Sequence, residues 1–158
     1  MPVFQGEVKL LSECSAGDLI RLPHRGLGTF AFATRGPNGA DVTKYVAFNG
    51  IECGAVFDPD DDPLVLSYGR SYRIEPASDA AGAVIVGGGF DQGRIVCNRP
   101  RNGSPASTHL MCLNQRGNAQ FYDMEAGTLH SAPGGDKIDV PIWELFVTGR
   151  PEAVFRFG

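Results

Sequence analysis

The sequence predicts an all-β fold, from its punctuation, its alternation and an internal echo. Its 158 residues include 21 Gly and 11 Pro, about one in five, dispersed along the chain. Few windows remain that could hold a helix of about 10 to 12 residues. Between the breaks, short runs alternate apolar with polar residues or are rich in Val, Ile, Phe and Tyr, as strands are. Finally, an offset of 65 residues superposes 16–76 on 81–141 without a gap, which suggests two β-rich repeats.

The strands expected in the first half are 4–11, 18–22, 29–34, 43–48, 55–58, 64–67 and 71–75. The second half continues with 83–86, 94–98, 108–113, 119–124, 137–140, 142–148 and 153–157. Most run four to eight residues and stop at Gly, Pro, Asn or Asp, a spacing that fits a sandwich or a small barrel. The window 106–116 has no Gly or Pro and opens near a Ser-Thr pair that could cap a short helix. Strand is preferred there because the corresponding 43–48 is rich in Tyr, Val and Phe.

The echo rests on pattern more than identity. Ten pairs are identical at this offset, among them Ile20/Ile85, Thr43/Thr108 and Asp58/Asp123. Phe30 and Phe32 fall on Ile95 and Cys97, and Val46 and Phe48 on Met111 and Leu113, all read as inward positions. Asn38-Gly39 and Asn102-Gly103, a dipeptide suited to tight hairpins, sit in corresponding loops. The organisation expected is one compact unit over 1–158, with a first repeat at 12–77, a second at 78–141 and an apolar hairpin at 142–158.

A unit of this length with five short strands, opening Gly17-Asp18-Leu19-Ile20-Arg21-Leu22, is similar to an SH3-like small barrel. The resemblance covers 12–77 better than 78–141. It implies paired barrels side by side, or strands merged into one β-sandwich, and implies little about activity.

Composition narrows the function classes. Fourteen basic residues against 18 acidic ones give a net charge of −4, which argues against a nucleic-acid coat. No apolar run approaches the ~18 residues of a membrane span, and the opening Met1-Pro2-Val3-Phe4 shows no signal-peptide pattern. A cytoplasmic or virion-associated protein, not secreted by a signal peptide, is the expectation. Cys14, Cys53, Cys97 and Cys112 have no C-x-x-C spacing and read as small core residues.

The chemical motifs mostly fail. Asp58, Asp60 and Asp62 place carboxylates at alternate positions, as a calcium loop does, but Pro63 stands where the sharp-turn Gly is needed. A solvated turn is expected there, with calcium as the alternative. The cluster Gly87-Gly88-Gly89-Phe90 leads into a strand instead of opening a helix, so it is no dinucleotide fingerprint. His24, His109 and His130 lack metal-ligand spacing, and no G-x-S-x-G is present. No catalytic residue and no cofactor is therefore expected.

Interaction residues are expected at the Arg94, Arg99 and Arg101 cluster and along the terminal apolar runs with Trp143, Phe155 and Phe157. Those runs either complete the sheet internally or pair with a neighbouring subunit. The function expected is a non-enzymatic assembly module that docks on a scaffold or on itself. In style it resembles accessory proteins of virus and phage particles, such as capsid decoration or head–tail proteins. The alternative is a small-molecule or carbohydrate-binding module, with Tyr45, Tyr68, Tyr72, Phe90 and Tyr122 lining a cleft between the repeats. A protein partner or self-association is expected, with no membrane and no nucleic acid.

Overall fold

The computed structural model describes residues 6–22, 29–35, 41–48, 53–79, 85–86 (backbone only), 91–131 and 135–158. His24, the Asn38-Gly39 turn, the glycine cluster at 87–90 and the outer ends of the first and eighth expected strands lie outside these residues.

Strand β1 (Glu7–Leu10) runs into a 3-10 turn (Leu11–Glu13), and β2 (Leu19–Leu22), β3 (Thr29–Arg35), β4 (Val42–Phe48) and β5 (Ala55–Phe57) follow. Next come β6 (Leu64–Gly69), β7 (Tyr72–Pro76), β8 (Ile85–Val86), β9 (Ile95–Arg99) and β10 (Ser107–Leu113). The chain closes with β11 (Ala119–Asp123), β12 (Thr128–His130), β13 (Asp136–Val140), β14 (Trp143–Val147) and β15 (Phe155–Phe157). The fold is all-β, every expected strand overlaps an observed one, and the 106–116 window is strand β10. Only β12 was not expected; three residues are too few to show an alternation.

Two sheets form. The larger runs β1-β6-β2-β3-β4-β5-β10-β9-β13-β8, with β11 and then β12 branching from β10; the smaller is β15-β14-β7. The halves of the large sheet join where β5 and β10 run parallel, at Ala55 and Leu113. Neither sheet closes into a barrel, which corrects the expectation of paired small barrels.

One core explains why. Leu19, Phe32, Val46 and Phe48 from the first half meet Ile95, Leu110, Cys112 and Tyr122 from the second, and Trp143, Leu145 and Val147 cover them from the small sheet. The Phe32 ring lies 4.6 Å from Phe48 and 5.4 Å from Tyr122, centroid to centroid. Separate barrels would leave each half to bury its own apolar face; here the halves bury theirs against each other. A second core of Leu11, Ile20, Leu22, Ala31, Tyr45 and Val65 lies within the first half.

The two repeats are not confirmed. The β4–β5 pairing, Tyr45 with Phe57, recurs at the same offset as Leu110 with Tyr122 in β10–β11. The preceding hairpin does not recur: Phe30 pairs with Phe48, but Ile95 pairs with Leu110 instead of Leu113. That slip of three is odd, so it reverses the face that β10 turns inward. Val46 therefore enters the main core, whereas Met111 joins a separate cluster with Val96 and Phe121. Cys97, expected inward like Phe32, is exposed although it shares a strand face with the buried Ile95, because it lies beside Thr108 and the exposed Ile138, past the end of the main core. The other three cysteines are buried as expected.

Candidate functional site

The acidic turn does not gather into a cation site. Asp58 sits 3.6 Å from Lys44 Nζ, and Asp62 accepts hydrogen bonds from the Ser12 backbone N–H at 2.9 Å and its hydroxyl at 2.5 Å. Asp60 stays exposed in the turn. The two flanking carboxylates are thus drawn to different partners, one tying the turn to β4 and the other to the 3-10 turn.

The three arginines do not share a hairpin tip. Arg94 is partly buried at the start of β9 and contacts Asp91 at 2.5 Å and Asp139 at 3.9 Å. Arg99 lies five residues on, about 16 Å along an extended strand. Arg101 is exposed and pairs with Asp136 at 2.9 Å.

The C-terminal aromatics belong to the interior. Trp143 is fully buried and donates from Nε1 to the Gly93 carbonyl at 2.8 Å, which corrects its expected place on an interaction surface. Phe155 and Phe157 are half-buried against it, with ring centroids 5.4 and 5.9 Å away. Gly93 makes this packing possible: at φ +89°, a Cβ there would stand 2.6 Å from the Phe157 ring. The terminal strands thus complete a sheet internally, since β15 pairs with β14 and β14 with β7.

The aromatics proposed to line a cleft between the halves are mostly core. Tyr45 and Tyr122 are buried, and Tyr68 and Tyr72 pack on the main core; Phe90 lies outside the described residues. A cleft of about 340 Å³ does lie between β7 and the β10–β11 hairpin, near Arg70, Tyr72, Thr108 and Met124. Arg70 spans it, donating to the carbonyls of Ala16, Met124 and Glu125 at 2.7, 3.0 and 2.6 Å.

Two features were not anticipated. The first is the outer face of the β1–β6 edge. Val8 and Leu10 stand opposite Leu66 and Leu64, and Val8, Leu64 and Leu10 are 61%, 54% and 38% exposed. Strand β1 ends the large sheet, with β6 its only neighbour among the described residues. On the other face Glu7 and Lys9 pair at 3.0 Å. The apolar–polar alternation of 7–10 was visible, but a period of two does not say which face is wet. Val65 between Leu64 and Leu66 is the residue that turns inward.

The second is a polar face in the second half. Strand pairing places Val96 beside His109 and Asp139, and Asn98 beside Ser107 and Lys137, so all share one side of the sheet. Asn98 Oδ1, His109 Nδ1 and Asp139 Oδ2 are buried there without a hydrogen-bond partner. Each such atom forgoes about 1–3 kcal/mol of solvation, which makes this face unusual. At its outer end His109, Asp123 and His130 bring one ligand atom each to within 4.8 Å of one another. His109 Nε2 is 2.8 Å from Ser107 Oγ, and His130 Nε2 is 3.8 Å from Asp123 Oδ2. Burial holds the His109 imidazole below its ordinary pKa against the opposing pull of Asp123, and His130 and Lys137 add to the lowering. Three separate strands supply these residues, which is why no motif spacing announced them.

No protein-family model, no curated protein and no solved structure matches the chain, so these sites are interpreted from their own geometry. Among the described residues no helix is long and apolar enough to cross a membrane.

Proposed function

We propose that this protein is a non-enzymatic assembly module whose contact surface is the open β1 edge, and that its partner there is a second copy of the chain. The observation that carries the reading is the exposed apolar strip of Val8, Leu10 and Leu64 on the terminal strand of a large sheet. An edge of this kind offers unpaired backbone donors and acceptors beside apolar side chains, which is what strand addition uses.

The sequence of β1 favours its own copy. A two-fold axis through Val8 sets β1 antiparallel to its mate, with Val8 opposite Val8 and each Glu7 opposite a Lys9. Opposite charges then meet on one face and the apolar strips become continuous on the other. An accessory subunit of a virus or phage particle is one setting that such a module fits.

Light scattering after gel filtration tests the idea. The wild-type mass should rise above that of the 16.9 kDa chain as concentration increases. Val8→Lys places two like charges across the axis and should hold the protein monomeric, with a stability change within about 0.5 kcal/mol because the site is exposed. A wild-type monomer at every concentration, or an oligomer indifferent to Val8→Lys, contradicts the proposal.

A further inference from the structure

We propose that His109, Asp123 and His130 form a binding site for a divalent metal of the zinc class, independent of the β1 edge. Two observations point there separately. Ring nitrogens of both histidines and a carboxylate oxygen of Asp123 converge within 4.8 Å. His109 is 3% exposed, and its Nδ1 has no partner although its Nε2 is engaged by Ser107. A buried imidazole normally satisfies both nitrogens; His109 leaves one without a partner and also brings a ring nitrogen close to a carboxylate and a second imidazole, the donor set of a metal site.

The donor chemistry selects the metal. Two imidazoles and one carboxylate suit zinc, cobalt and nickel better than calcium or magnesium, which prefer all-oxygen shells. Tetrahedral zinc with bonds near 2.0–2.1 Å separates its ligand atoms by about 3.4 Å. His130 Nε2 and Asp123 Oδ2, at 3.8 Å, need a shift of only a few tenths of an ångström. His130 is exposed and able to make it, and three protein ligands leave a fourth position for water.

The surroundings already hold the ligands in place. Ser107 Oγ can accept the Nε2–H of His109, fixing the tautomer that leaves the Nδ1 lone pair free. Asp123 Oδ1 accepts the backbone N–H groups of Glu125 and Ala126, both at 2.9 Å, which anchors the carboxylate and leaves Oδ2 for the metal. The ammonium of Lys137 opposes positive charge at His109. Bound metal would join β10, β11 and β12, clamping the three-residue β12, whose one strand pairing among the described residues is with β11.

The test uses the full chain, stripped of metal with a chelator and titrated with zinc chloride by calorimetry and with cobalt chloride by visible absorption. One equivalent should bind, cobalt should develop the intense visible bands of tetrahedral coordination, and the melting temperature should rise with metal. Asp123→Asn, which keeps the Oδ1 acceptor for the turn, and His130→Ala, at an exposed position, should each weaken zinc binding by at least about tenfold while their metal-free melting temperatures stay near wild type. Cys97→Ser should bind as wild type does. Failure of the stripped wild-type chain to bind at micromolar zinc would overturn the proposal. So would unchanged affinity in His130→Ala, or loss of binding in Cys97→Ser, either of which would put the ion elsewhere.

Discussion

Trp143 shows how far a residue can be understood before its neighbours are known. Its apolar, β-prone surroundings suggest a surface seeking a partner, and the partner proves to be this chain's own core. Replacing Trp143 with Ala would open a large cavity and strand the Gly93 carbonyl that its Nε1–H now satisfies. The expected cost is about 3–5 kcal/mol, read as a lower denaturation midpoint in urea. The cysteines give a second check at this scale. Burial pushes the Cys14 and Cys53 thiols up to about 11 and about 12, and raises that of Cys112 as well. With Cys97 exposed, a thiol reagent near neutral pH should label that residue alone in the native protein and all four after unfolding. Labelling of a second thiol at the native rate would contradict this packing. Alternation puts Cys97 on the same face as the buried Ile95, but it cannot say how far the core extends along that face, and Cys97 with its neighbour Ile138 lies past its end.

At the scale of elements, punctuation and alternation were nearly sufficient. Fourteen expected strands were found, including β10, where a cap-like Ser-Thr pair competed with β-branched and apolar residues and lost. What local pattern withheld was orientation. Strand β1 alternates cleanly, but its apolar face is the exposed one because Val65 of β6, and not Leu64 or Leu66, turns toward the core. The terminal hairpin β14–β15 shows the converse, since its apolar run is absorbed internally. A chain lacking 142–158 would lose Trp143, Leu145 and Val147 from the main core, so these residues belong to folding and not to docking. Strand β12 escaped notice because it is short, and with it went the convergence of His130 on Asp123 and His109. Such sites depend on the pairing of three strands, which no spacing rule encodes.

At the scale of the whole molecule, the halves share one core instead of folding as two barrels. The 65-residue echo survives in the β4–β5 and β10–β11 pairings and is lost where β10 meets β9. A pattern of apolar positions can therefore persist while the face it presents is inverted. The large sheet that results ends at β1 with an apolar outer face, and the proposed assembly follows from that exposure. Hydrogen exchange of the β1 backbone amides, followed as protein concentration is raised, tests this most directly. Pairing between copies predicts that protection at residues 7–10 grows with concentration in the wild type and stays flat in Val8→Lys. Amides in β1 that exchange at one rate across the series, in both proteins, would contradict the account.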